Sequence, residues 1–283
     1  MTYDSREISA TDGASIRLYE FVIGTQTWRW CNGDRDGTYG GKFYTAAPIS
    51  DGGLKQKGTA ITDDFIVTMP SYFGVPALFR ATPPSEPIRF TMRQAQQAEP
   101  TEALIMWLGY VSSCKYKDDI VSEVLCNTQT AYLNRRGLRL AYSRECPHAL
   151  YDDDCRVDKA LWAEPIKVTA TNGIAVVYEY LAPPRSDNRV GRFTNGFIEW
   201  QVITPGGGKF MQRRSIHSHE IFQGVNAFQL LGQTDGIVIG MTLVAYPGCQ
   251  RNTPNCKLFD NIANYGGFPF LPGKSPFDGE PIF

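Results

Sequence analysis

Apolar and polar positions alternate along most of this chain with a period of two, the spacing of a strand with one face on a core. Ser15 to Val22 (Ser-Ile-Arg-Leu-Tyr-Glu-Phe-Val) predicts such a strand, with a turn at Asp12-Gly13 before it. Turns are expected again at Gly33–Gly37 and Tyr39–Lys42, around short aromatic strands. Asp63–Pro70 reads as a strand halted by proline, and Ile88–Arg93 and Ala103–Val111 as further strands. One short helix is expected near Ser71–Phe79, although it contains a proline.

The second half repeats the pattern. Ile166–Ala170 and Ile174–Tyr178 flank Asn172-Gly173, a strong signal for a two-residue hairpin. Phe197–Val202 and Phe210–His219 flank Pro205–Gly208, a second hairpin, and Ile237–Tyr246 is another apolar strand. Only Leu258–Tyr265 keeps a short helical period. Ala182–Ser186 reads as an exposed turn, Tyr265–Phe283 as an extended tail rich in Pro and Gly, and no internal repeat is visible. The fold class is mainly β.

Composition narrows the function classes. The 283 residues carry 28 Lys and Arg against 29 Asp and Glu, a net charge of −1. A nucleic-acid binder draws its affinity from a basic excess, so direct nucleic-acid recognition is not expected. With 42% hydrophobic and 12% aromatic residues the chain can bury a substantial core, which excludes wholesale disorder. The length is near that at which one core splits into two. Two intimately packed β domains of sandwich or barrel type are expected, 1–140 and 141–283. The opening Met1–Glu7 has acids among its charges and no apolar run behind it, unlike a secretory signal. Gly236–Tyr246 is too short to span a bilayer. The expectation is synthesis in the cytoplasm, with the seven cysteines reduced.

Four of those cysteines stand apart. Cys146 and Cys155 are separated by eight residues and Cys249 and Cys256 by six, each in a segment rich in turn formers with a basic residue nearby. Four thiolates around a cation leave net negative charge, which neighbouring Arg and Lys offset. Structural zinc sites pair their cysteines two to four residues apart, and neither pair here does so. An iron–sulfur cluster takes one thiolate per iron corner and tolerates wider spacing. Spacing alone leans toward the cluster and leaves zinc open. The bland alternative is that all are buried small hydrophobes. For Cys31, Cys114 and Cys126, in strand-like surroundings, that alternative is preferred.

The same residues carry a resemblance to a known family. Gly248-Cys249, Cys256, Phe259, Asn261, Asn264-Tyr265-Gly266-Gly267-Phe268-Pro269 and Pro272-Gly273 resemble the C-terminal signature of phage tail-tip hub proteins, of the lambda tail-tip protein L and gene transfer agent hub type. Arg136-Gly137-Leu138, followed by Cys146-Pro147-His148-Ala149-Leu150-Tyr151-Asp152 and Cys155, resembles the family's first cysteine pair. Leu18–Phe21, Trp28-Arg29-Trp30, Asp34-Arg35-Asp36 and Tyr39–Tyr44 resemble its opening strands, and Phe193, Gly196 and Trp200 its middle segment. The resemblance implies a trimeric hub in the virion, at the tip of a long non-contractile tail. It would sit between the distal tail protein ring and the central fibre or receptor-binding protein, with the tape-measure protein as a further neighbour. It also implies a 4Fe-4S cluster held by Cys146, Cys155, Cys249 and Cys256, in a loop-rich iron–sulfur region of the second domain. Assembly in the host cytoplasm agrees with the absence of an export signal. Joining cysteine pairs so far apart, such a cluster would close a long loop and act structurally.

Other constellations are weaker. His217-Ser218-His219 would place both imidazoles on one strand face with no third ligand nearby, and a solvated face is preferred. Asp152-Asp153-Asp154 lacks the glycine and distal glutamate of a calcium loop and reads as solvated acids or an edge against a partner subunit. Gly206–Lys209 and Gly40–Lys42 lack the Ser or Thr of a phosphate loop and read as hairpin turns. There is no Gly-x-Ser-x-Gly elbow, and Cys146 with His148 makes a poor nucleophile and base. No catalytic residue is expected. Trp28 and Trp30 share a strand face, explained by core packing or by a subunit interface. The alternatives to a hub are a cytoplasmic metalloenzyme with an open iron–sulfur or zinc site, and the metal-free distal tail ring protein.

Overall fold

Strand β1 (Ser15–Ile23) follows the expected alternation but is buried on both faces. Tyr19, Phe21 and Ile23 enter one apolar cluster, while Ile16 and Leu18 enter a second with Cys31, Tyr39 and Tyr44. The structure is a computed structural model that describes residues 8, 14–54, 64–97, 99–129, 142–184, 189–222 and 224–271. The Asp12-Gly13 turn, Arg136-Gly137-Leu138 and the tail beyond Leu271 lie outside the described residues.

The chain divides into two compact units, 1–135 with 201–212, and 136–200 with 213–283. In the first unit, β1 is followed by β2 (Gln26–Cys31), β3 (Gly37–Tyr39), β4 (Lys42–Ala46), β5 (Ser50–Asp51), β6 (Phe65–Pro70), β7 (Arg89–Gln96), β8 (Glu99–Tyr116) and β9 (Val121–Thr128). They form a nine-stranded sheet in the order β3-β4-β2-β1-β7-β8-β9-β6-β5. Its main core stacks Phe90 between Phe21 (4.6 Å between ring centres) and Phe65 (5.8 Å), with Trp28 and Trp30 half-buried against it. Core packing therefore accounts for that tryptophan pair. The helix expected near Ser71–Phe79 is a single turn, α1 (Gly74–Ala77).

Segment 201–212 belongs to this unit rather than to the second half, where the sequence placed it. Phe210 and Val202 pack into the main cluster. The β1–β2 turn holds the segment: Thr25 N donates to Lys209 O (2.9 Å), and Lys209 N donates back to Thr25 Oγ1 (2.8 Å). Gly24, at φ +51°, passes so close to Lys209 O that a Cβ would lie 2.2 Å from it. Behind β1, Glu20 receives Lys42 Nζ (2.9 Å) and Arg93 Nη1 (2.5 Å). Burial works to raise its pKa, and the two cations outweigh burial to leave it below the ordinary carboxylate value.

A barrel closes β10 (Glu164–Asn172), β11 (Ala175–Tyr180), β12 (Phe197–Ile203), β13 (Lys209–Phe222), β14 (Val225–Leu230) and β15 (Thr242–Tyr246) in the order β10-β11-β14-β13-β12-β15, all in the second unit except residues 201–203 of β12 and 209–212 of β13. Closure leaves no open sheet edge. The β10–β11 turn falls one residue later than expected. Asn172 pairs with Ala175, so Gly173 (φ +59°) and Ile174 make the turn. The apolar run from Ile237 is not all strand: β15 begins at Thr242, because Gly236 (φ +81°) and Gly240 (φ +88°) bend the chain into turns. Ala182–Pro184 lie at or near the surface, and Arg185 and Ser186 fall outside the described residues.

The two histidines of β13 do not share a face. A register shift between Ile216 and Ser218 places an unpaired residue at His217, so His217 is exposed and His219 is buried at 1% exposure. His219 Nε2 meets the Tyr178 hydroxyl at 3.0 Å, with Phe193 and Phe228 around it. The expected solvated pair is thus one surface and one core histidine. Cys31, Cys114 and Cys126 lie in β2, β8 and β9, and burial pushes each thiol above its ordinary pKa.

Candidate metal centre

The register of β10 against β15 brings the two cysteine segments together. Glu164, at the start of β10, pairs with Ala245, near the end of β15. The chain therefore enters β10 and leaves β15 at one end of the barrel. Cys146 and Cys155 precede that entry, and Cys249 and Cys256 follow that exit. All four line one cavity, with His148, Arg251, Asn261 and Tyr265 among the other wall residues.

Backbone conformation shapes both segments. Among the described residues, Tyr151, Arg156, Arg251, Asp260 and Asn195 are the non-glycine positions with positive φ, and the first four lie in the cysteine segments. Such conformations cost energy and persist where surrounding contacts hold them. Arg251 (φ 58°) turns its N–H toward Cys249 Sγ at 3.3 Å. Arg251 O accepts from Cys146 N (2.9 Å) and from the Tyr265 hydroxyl (3.1 Å), which ties the two segments directly. Asp152, one of the three consecutive acids, caps the first segment by accepting from Ala149 N (2.9 Å) and Cys155 N (2.6 Å). It is a local cap rather than a free solvated acid.

Cys256 is carried by a short helix, α2 (Thr253–Leu258), whose N-cap Asn252 accepts from Asn255 N at 2.8 Å. Phe259 packs on Trp162 (4.6 Å), in the 3-10 helix Lys159–Trp162. Lys159 fixes that helix through Glu199 (2.6 Å). Glycines close the site: at Gly266 a Cβ would lie 2.1 Å from His148 Nε2, and at Gly248 one would lie 1.9 Å from Thr194 O.

The chemistry of the walls is selective. Sulfur is the ligand type in excess, no carboxylate is among the described residues that line the cavity, and the guanidinium-bearing Arg251 stands beside it. Soft thiolates of this kind suit zinc, copper(I) or iron–sulfur centres. Burial pushes the Cys249 and Cys256 thiols up, and the neighbouring cysteines push the same way. A bound cation would reverse that repulsion. Among the described residues, no three or more His, Cys, Asp or Glu side chains converge closely enough to hold a single ion. The four cysteines line the cavity instead. Its volume is about 20 Å³.

His148 and Asn261 are polar residues of this site to which the cysteine pattern assigns no role. Among the described residues, His148 Nδ1 is buried without a hydrogen-bond partner, Asp154 being 3.9 Å away. Asn261 Nδ2 donates to Cys155 O (2.5 Å) and faces Cys155 Sγ (3.5 Å). Their only sequence signal was their place in the two resemblance motifs.

Residues 191–275 match a family described as phage conserved hypothetical protein BR0599, a stretch that includes the second cysteine pair. An uncharacterized protein of Xylella fastidiosa (strain 9a5c) is 23% identical over 168 residues, covering 55% of this chain and 35% of that protein. The chain thus spans about a third of the length of that relative. The fold matches a chain from the virion of a native gene transfer agent particle, with a TM-score of 0.77 and 16% identity, over 100% of this chain and 99% of that one.

Proposed function

We propose that this chain is a structural protein of a phage or gene transfer agent virion, the hub of the tail tip. As a homotrimer it joins the distal tail ring to the central fibre or receptor-binding protein, and Cys146, Cys155, Cys249 and Cys256 hold a structural 4Fe-4S cluster. The observation that carries the reading is the convergence of four cysteines from two sequence-distant segments around one cavity, on a fold matched end to end by a virion chain. The tail-tip position rests on the sequence signature around these cysteines.

The donor set fits the cluster. Four cysteines line one cavity, N–H groups approach the sulfurs of Cys249 and Cys155, and no carboxylate is among the described residues of its wall. A cubane spreads its thiolates over iron corners, whereas a mononuclear zinc draws its sulfurs to about 2.3 Å from one centre. When bound, the group supplies cross-linking: metal-binding free energy becomes folding free energy of the two segments it ties. A run of exposed apolar residues in β8, Leu104, Ile105, Met106 and Leu108, is of the kind that assembly with neighbours covers.

The test is iron, sulfide and visible absorption of anaerobically purified protein. About four irons and four sulfides per chain, lost in Cys256→Ser, are expected. Zinc alone would keep the site and discard the cluster, and no metal would discard the ligand assignment. In the assembled particle, Cys249→Ser should reduce finished tails; infectious particles without iron would contradict the structural role.

A further inference from the structure

We infer that Asn261 is a positioning residue for the four-cysteine site, holding Cys155 in place and donating a hydrogen bond to its sulfur. The inference rests on the cluster reading above.

Asn261 is 8% exposed and touches one cysteine from each segment. Its main-chain N donates to Cys256 O (3.2 Å), and in the metal-free site its main-chain O accepts from the Cys256 thiol (3.2 Å). Its side chain reaches the other segment, with Nδ2 2.5 Å from Cys155 O and 3.5 Å from Cys155 Sγ. The amide has its orientation fixed from behind: Oδ1 accepts from Asn264 Nδ2 at 2.6 Å, so the NH2 end must face Cys155. A buried amide is costly unless both ends are satisfied, and here they are.

The donor has a chemical consequence. An N–H aimed at a ligating sulfur stabilises negative charge on it, and reduction adds negative charge to a cluster. The bond therefore strengthens retention of the cluster and raises its reduction potential. Arg251 N–H does the same at Cys249, but it is main-chain and tolerates substitution of its side chain. Asn261 is the position where the side chain itself carries the bond. Aspartate has the same shape but would set a carboxylate against the thiolate.

The experiment compares wild type with Asn261→Ala, Asn261→Asp and Asn261→Ser, all purified anaerobically. It reads iron and sulfide per chain, iron loss to a chelator, midpoint potential, and melting of the metal-free form. Asn261→Ala is expected to hold iron roughly 10–100-fold less tightly, with a lower potential. Asn261→Asp should be worse, and Asn261→Ser, which keeps a hydroxyl donor, should recover part of the loss. Wild type without iron overturns the cluster reading and this inference with it. Wild type with iron, and variants unchanged in retention and potential, overturn the inference alone. So do equal losses in the Ala and Ser variants that merely track their metal-free melting temperatures.

Discussion

Tyr178 of β11 and His219 of β13 meet inside the barrel across the intervening β14, the phenol oxygen 3.0 Å from Nε2. Burial pushes the His219 pKa down to about 4, and the charge of Arg192 adds to it. The unfolded chain holds the same imidazole near its ordinary value of about 6.5. As pH falls, the unfolded state takes up the proton first. The contribution is fully present above about pH 6.5, is lost between about 6.5 and 4, and is level below that. Over that window the loss amounts to about 3 kcal/mol. Denaturant midpoints at pH 7.5 and pH 4.5 should differ more in wild type than in His219→Gln; equal pH dependence would refute the account.

Glu164 and Arg192 form a second buried relationship, with side chains 5% and 3% exposed. Arg192 Nη1 donates to Glu164 Oε2 at 3.0 Å, and Nη2 pairs with Oε1. Removing one partner strands the other charge, so Glu164→Ala should destabilise the barrel by about 3–5 kcal/mol. Glu164→Met with Arg192→Leu should cost far less. A double-mutant cycle on unfolding free energies checks this, and additive single and double costs would show no coupling.

Gly266→Ala is expected to act on the cysteine site and leave the barrel alone. The new Cβ would lie 2.1 Å from His148 Nε2, so the ring or the following segment must move. Reduced iron retention with an unchanged denaturation midpoint for the barrel is the predicted pair of results. A normal site in this variant would mean that His148 yields freely.

Gly24→Ala tests the β1–β2 turn in the first unit. The position needs φ +51° and stands against Lys209 O. The left-handed conformation alone costs an L-residue about 1–2 kcal/mol, before the clash is relieved. Hydrogen exchange at Thr25 N, which donates to Lys209 O, should accelerate. Unaltered protection there would show that the turn adjusts.

Much of this architecture was legible in local pattern. β1, β6, β7 and the hairpin at Pro205–Gly208 follow period-two alternation and turn chemistry, both of which act over a few residues. What escaped depends on context. The bulge at His217 shifts parity, so the imidazole expected outside at His219 lies within, and no residue in that stretch announces the extra position. Glycine at Gly236 and Gly240 overrode the apolar run that suggested a longer strand. For the site, the four cysteines were legible as a set, but their meeting depends on Glu164 opposite Ala245, a pairing across about eighty residues that only closure of the barrel provides. Asn261 stood in the resemblance signature, but its role became visible only once Cys155 lay beside it.

The passage of 201–212 from the barrel's sequence into the first unit's core has an evolutionary consequence. The two units are not modules in the genetic sense, since no single crossover point separates the codons of one from those of the other. A recombinant joined near residue 136 would inherit Phe210 and Thr25 from different parents, a mismatched lining for the main aromatic cluster and a mismatched latch on its turn. Exchange among related chains should therefore preserve this pair of units as one heritable block.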